Sequence, residues 1–320
     1  MANILLVNHE ATPVYTQAIE AEGHQCFSAQ DQVNAEEALQ NRPFGVLIRE
    51  VRNPAEDFKL FDIARKLQPN CRAIAVIPES LEAYFPELLP RAYPHNFIAD
   101  NRSIDVKELI VTIRKLLSGD IFGIDKYDIP AEATLRLSSS DDKYPSIEKV
   151  RDFYLARGVS ERIVGNVELI LNELLMNAMF DAPVDAGGSH PRVHLDRSAV
   201  FSIEKKDRPS LCYGMGKTHL AVSVSDPFGN LDKKTFFSYI HRCFSEKSVL
   251  EGAGKGAGMG LFFIFKSLDQ MVINVATHRE TEVIALIDHR GTLGELKRRR
   301  HSFHFFQIDD VSEGKENQQP

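Results

Sequence analysis

Over the first 120 residues, short apolar runs alternate with stretches whose apolar positions recur at helical spacing. The runs NILLV (3–7), GVLIRE (45–50) and RAIAVI (72–77) are brief and bounded by turn residues, which predicts buried parallel strands. Between them, PVYTQAIEAEG (13–23) and AEDFKLFDIARKLQP (55–69) read as amphipathic helices ending in Gly or Pro. FIADN (97–101) supplies a last strand and DVKELIVTIRKLLSG (105–119) a last helix. Strand and helix in alternation predict a flavodoxin-like, doubly wound parallel α/β sheet.

The texture then changes. Residues 121–145 are polar, with two prolines and a serine run, and read as a linker. Helical segments are expected at 146–157 and 160–180, followed by strand-like alternation in RVHLDRSAVFSIEKK (192–206) and THLAVSVSD (218–226). A helix is expected at 232–244 and another in LFFIFKSLDQM (261–271), with VINVATH (272–278) and TEVIALID (281–288) as paired strands. The chain thus divides into a domain at 1–120, the linker, a second domain at 146–308 and a charged tail at 309–320 that reads as disordered.

Composition narrows the functional classes. A hydrophobic content of 43% over 320 residues suffices for two cores. Cys26, Cys71, Cys212 and Cys243 form no CxxC pair, so neither a disulfide framework nor a zinc site is expected. The net charge of −7 gives no electrostatic basis for nucleic-acid binding, and KRRR (297–300) reads as a solvated face. With no basic leader and no run near the roughly 20 apolar residues of a membrane span, a cytoplasmic protein is expected.

Three constellations carry chemistry. In GAGKGAGMGLFF (252–263), glycines recur at every second position before an apolar run, so backbone N–H groups can converge on an anion; a plain surface loop is the alternative. In ELILNELLMNAMFDAP (168–183), Glu173 and Asn177 lie four apart on an apolar helix and project from one face. A carboxylate there suits proton acceptance and an amide oxygen suits Mg²⁺; two solvent-facing polar residues are the alternative. In AVSVSDPFGNL (221–231), a strand ends at Asp226, whose carboxylate can accept from an amino-purine edge or simply begin an Asp-Pro turn.

Taken in order, Glu-x-x-x-Asn, Asp-x-x-Gly and Gly-x-Gly resemble the motif boxes of the Bergerat ATP-binding fold, an α/β sandwich with a mixed, mostly antiparallel sheet. Histidine kinases, type II topoisomerases, a heat-shock chaperone and anti-sigma-factor serine kinases share it. PSIEKVRDFYLARGVSERIVGNVELILNELLMNA (145–178) is most similar to the anti-sigma-factor kinase branch. The resemblance, over about 135–290, implies that ATP and Mg²⁺ are cofactors, Glu173 the base and Asn177 the Mg²⁺ ligand. It implies further that Asp226 holds the adenine amino group, Gly229 admits the base, and Gly256, Gly258 and Gly260 donate to phosphates above Met259 and Leu261. Thr281 matches the threonine that backs the adenine pocket. D-x-G-x-G is not matched, since Phe228 and Asn230 stand where glycines belong. Residues 232–257, with Lys247 and Lys255, have the composition of a lid.

The first domain resembles a response-regulator receiver that has lost its acceptor chemistry. NILLVNHEATP has Asn8 and His9 where acidic metal ligands belong and keeps only Glu10, and VLIREVRNPAEDF has Glu50 at the phosphoacceptor position. Pro78 replaces the hydroxyl residue, and Asp100 with Asn101 replaces Lys-Pro. The resemblance implies that phosphorylation is lost: Glu50 stands as a permanent negative charge resembling the phosphorylated state, or the domain serves only to dock or pair, which is the expectation adopted. The expected function is a serine/threonine kinase acting on a partner similar to an anti-sigma-factor antagonist or a sigma factor, with pairing to a second copy through the receiver face and no nucleic acid or membrane. Two alternatives stand beside it: a non-catalytic ATP-dependent binding switch, and a histidine-kinase-like phosphorelay protein. The last lacks a phosphoacceptor helix before Glu173, because His190 and His194 follow it.

Overall fold

The structure is a computed structural model that describes residues 1–7, 13–88, 91, 94–99, 105–185, 187–234, 236–238, 241, 264–265, 268–290 and 300–309. Two compact units are present: Met1–Ile121 with Gly294–His304, and Phe122–Leu293 with Phe305–Pro320.

In the first unit, strands β1 (Asn3–Val7), β2 (Gln25–Ala29), β3 (Val46–Glu50), β4 (Arg72–Ile77) and β5 (Asn96–Ala99) lie in the order β2-β1-β3-β4-β5, all parallel. This is the flavodoxin-like doubly wound order, with its ligand crevice at the carboxyl ends of β1 and β3. Helices α1 (Pro13–Ala21), α2 (Gln32–Asn41), α3 (Pro54–Leu67), the short α4 (Phe85–Leu88) and α5 (Val106–Ser118) supply the crossovers. Ile4, Leu6, Ile48, Ile74, Leu109 and Ile113 share one core cluster and are almost wholly buried. α5 is set by its ends: the Asp105 carboxylate accepts from the Lys107 N–H, and Gly119 closes the helix at φ 71°. β2 was not expected, because its edge position leaves QCFSA without a continuous apolar run.

The first unit also takes in residues from near the other end of the chain. Phe303 and His304, in strand β11 (Ser302–Ile308), pair antiparallel with Phe97 and Asn96 of β5. The Ala99 N–H donates to Ser302 Oγ (3.0 Å), and His304 Nε2 stands 2.9 Å from Glu108 Oε1 of α5. A domain running unbroken from 146 to 308 is therefore corrected: main-chain pairing draws 303–304 to β5.

In the second unit, β6 (Ala131–Arg136), β7 (Ser210–Met215), β8 (His219–Asp226), β10 (Glu280–Asp288) and β9 (Gln270–Ala276) are successive antiparallel neighbours. Helices α6 (Lys143–Ala156) and α7 (Glu161–Met176) form a hairpin, and α7 packs on β8. β6 lies in the expected linker, which is corrected: the ladder to β7 orders it although its side chains are mostly exposed. The expected strand at 192–206 is also corrected. Beyond one isolated bridge from Ser202 to Ser139 it is irregular, because Arg197 reaches Asp181 (2.8 Å) and stacks on Phe180 while Arg192 stacks on Phe201. The expected helix LFFIFKSLDQM is described only at Ile264, Phe265 and from Leu268 on, where Gln270 already begins β9. Contrary to the sequence expectation, the helical stretch Glu161–Asp181 is long and apolar enough to span a membrane, and 61% of its apolar window is buried inside the protein.

Candidate functional site

The register of the second unit's sheet decides where its polar residues meet. Arg136 of β6 faces Ser210 of β7, which faces Ser225 of β8, one residue before Asp226. From Arg136 the chain runs through the Ser139 capping box directly into α6. At the far end of α6, the Tyr154 hydroxyl donates to the Gly214 and Ala221 carbonyls at the opposite end of β7 and β8. α6 therefore leaves the Asp226 end of the sheet and α7 returns to it, a return fixed by the 3.2 Å approach of Lys143 Nζ to Met176 Sδ. Glu173 and Asn177, flanking Met176, are thereby carried to the end of the sheet that holds Asp226.

The α-helix gives way to a π-helical turn at Asn177–Asp181, a feature frequent at functional sites. The Asn177 N–H bonds to the carbonyls of both Glu173 and Leu174. Both side chains of the Glu173/Asn177 pair are half-buried, and the Asn172 amide reaches Glu173 Oε1 at 3.4 Å. Leu169 of the same helix is 67% exposed.

Asp226 is buried and accepts from the Phe228 N–H at 3.0 Å. Burial pushes its carboxyl up to about 7, against the backbone N–H groups of Phe228 and Gly229 and with help from the Glu280 charge. Thr281, 3% exposed, stands directly opposite Asp226 in the ladder, so the two share a face. Gly229 adopts φ 63°, and a Cβ there would stand 2.1 Å from the Ala276 carbonyl oxygen and 2.6 Å from Arg279 N. The position admits glycine only.

Asp226 and Thr281 pair at one end of the sheet and Gly229 follows β8 there, while the helical stretch that carries Glu173 and Asn177 packs on β8. Gly256, Gly258, Met259, Gly260, Leu261 and the lid lysines Lys247 and Lys255 lie outside the described residues. Among the described residues no three His, Cys, Asp or Glu side chains cluster as a metal cage. Mg²⁺ held by Asn177 and a ligand's phosphates is compatible with that, since Mg²⁺ keeps several waters and takes few protein ligands. Sequence reasoning missed Lys143, whose only signal is a charge on α6's otherwise core-facing stripe with Ser146, Ile147, Val150 and Tyr154.

In the first unit, Glu50 closes β3 with its carboxylate accepting from Arg52 Nε at 2.7 Å. Arg49 and Asp57 form a buried ion pair beneath it, and Asp57 Oδ2 accepts from the Arg52 and Asn53 N–H groups, both at 2.8 Å. Pro78 directly follows β4 and offers neither hydroxyl nor N–H. The Tyr84 hydroxyl donates to the Val51 carbonyl and accepts from the Glu79 N–H, both at 3.3 Å. Asn8, His9, Glu10 and Asp100 lie outside the described residues. Cys26, Cys71 and Cys212 are free thiols; Cys71 is buried, and burial raises its pKa to about 12.

No family model matches the chain, and no curated protein is similar to it. Similar solved structures align with about 37% of the chain. The CheY-like receiver domain protein from Methanospirillum hungatei JF-1 is 20% identical, with 37% of this chain and 95% of that one aligned at a TM-score of 0.34. The receiver domain of NtrC4 from Aquifex aeolicus is 20% identical over 37% of this chain and 98% of its own, at 0.32. The signal receiver domain of an HD domain-containing protein from Pseudomonas fluorescens Pf-5 is 18% identical over 37% and 94%, at 0.33. The receiver-like fold of the first unit rests on its strand order and register.

Proposed function

We propose that the second unit binds ATP with Mg²⁺ in the manner of the Bergerat fold and transfers phosphate to a serine or threonine of a partner protein, while the first unit serves as a receiver-like docking module. The observation that supports this reading is that α7, which carries Glu173 and leads into Asn177, returns toward the end of the sheet where Asp226 and Thr281 pair. Buried Asp226 can accept from an exocyclic amine in a site where water competes poorly. Gly229 leaves room for a planar base beside it.

In the transfer, Glu173 accepts the proton of the partner's hydroxyl, the hydroxyl oxygen attacks the γ-phosphorus, and the bond to the β-phosphate oxygen breaks to release ADP. Mg²⁺, when bound, neutralises the phosphate charge. The partner is a protein similar to an anti-sigma-factor antagonist. The first unit supports a non-phosphorylated role, because Glu50 is engaged by Arg52 and Pro78 cannot donate to a phosphoryl group. A non-catalytic ATP-dependent switch is the second reading, favoured by Phe228 and Asn230, which stand where the nucleotide box has glycines.

Incubation with labelled MgATP and a candidate partner should give acid-stable label. Glu173→Gln should lower transfer by roughly two to four orders of magnitude while nucleotide affinity stays within about twofold. Persistent transfer would remove Glu173 as the base, and nucleotide binding without any transfer would favour the switch.

A further inference from the structure

Lys143 is an unusual residue for its place. It is the first residue of α6, where a cation opposes the helix dipole, and it is only 7% exposed. Its ammonium faces a thioether, Met176 Sδ at 3.2 Å, and the Tyr144 ring at 4.4 Å. Among the described residues it makes no ion pair. The neighbouring carboxylate of Asp142 is turned away, accepting from the N–H and hydroxyl of Ser138 and the N–H of Ser139. A buried cation without a carboxylate is costly, and an anion brought by a ligand would offset that cost.

The fold places this ammonium at the sheet end already described. Lys143 follows Arg136, whose ladder partners run through Ser210 to Ser225 beside Asp226, and it touches the residue between Glu173 and Asn177 in the helical path. We propose that Lys143 is a phosphate-binding cation of the second unit, contacting a phosphoryl oxygen of the nucleotide bound between α7 and Asp226. This rests on the ATP-binding reading, which nowhere assigns Lys143 a role. The soft lining then has a purpose: a thioether and a ring face solvate the ammonium weakly and leave its N–H groups to a stronger acceptor.

The test uses the full chain and its Lys143→Met variant, which keeps the stem and removes the charge, with Lys143→Gln as a second replacement. Each is titrated calorimetrically with MgATP, inorganic tripolyphosphate and adenosine, and melted without ligand. The expected result is a loss of roughly tenfold or more for MgATP and tripolyphosphate, unchanged affinity for adenosine, and a ligand-free Tm no lower than that of the unaltered protein. Unchanged MgATP and tripolyphosphate affinity in both variants overturns the role of Lys143 and leaves the nucleotide site standing. A parallel drop in Tm and in adenosine affinity in both assigns Lys143 a purely structural part and also overturns it. If the unaltered chain binds tripolyphosphate through Lys143 but neither MgATP nor adenosine, the anion site survives and the ATP reading falls. Binding of none of the three overturns both.

Discussion

Gly229 and Asp226 show how one turn sets the chemistry of the second unit. The left-handed backbone at Gly229 lets the chain after β8 press against the β9–β10 turn, where the His278 N–H donates to the Gly229 carbonyl at 3.2 Å. Gly229→Ala would force a methyl group into the Ala276 carbonyl and should destabilise the protein by about 2–4 kcal/mol, read by urea unfolding. A loss below about 0.5 kcal/mol would show that the turn relaxes freely.

Asp226 carries a pH signature. Its folded pKa, about 7, lies above the unfolded carboxylate value, so the native state holds a proton that the unfolded chain has released. Stability from this group is complete below about pH 4 and is lost as pH rises through about 7, by at most about 4 kcal/mol. Burial and the Glu282 charge push Glu280 in the same direction. Comparison with Asp226→Asn isolates the group: the variant should gain stability over the unaltered protein from about pH 4 to about pH 7 and keep the gain above it. A constant difference across that window would contradict the assignment.

At the scale of elements, the β3–α3 connection is held by a guanidinium. Asp57 ties Arg49 and two backbone N–H groups together at the carboxyl end of the sheet, while Glu50 is occupied by Arg52. Asp57→Leu should cost about 3–5 kcal/mol by leaving Arg49 buried and unpaired and two backbone N–H groups without their acceptor, and adding Arg49→Met should recover the part due to Arg49. A double variant no more stable than the single one would show that the charge of Arg49 is not what the first substitution exposes.

Which elements were legible follows from burial. α5 and α7 announce themselves because each presents one apolar stripe to a core. β6 does not, because AEATLR is ordered by its ladder to β7 rather than by an apolar face. The alternation in 192–206 misled for the opposite reason: its arginines find aromatic rings and carboxylates that no spacing rule records. β11 escaped notice beside a basic run, although Phe303, His304 and Phe305 are all buried.

At the scale of the whole molecule, contiguity in sequence is a poor guide to membership of a unit. Residues 303 and 304 complete hydrogen bonding at β5 across an interval of about 200 residues, and His304 sits between Asn96 and Glu108 at 3.3 and 2.9 Å. Local pattern cannot show such a pairing, whereas the end of β8 at Asp226 was legible because the apolar alternation stops there at an Asp-Pro turn. Lys143 was not, since a lysine entering a helix ordinarily reads as solvated; only its burial singles it out.

The account turns on the second unit holding a nucleotide at the Asp226 end of its sheet. Isothermal titration of the full chain with MgATP tests this most directly. One site per chain is predicted, weakened roughly tenfold or more by Asp226→Asn, which removes the acceptor's charge while keeping its shape. No binding up to millimolar MgATP, or equal binding by the Asp226→Asn variant, would contradict it.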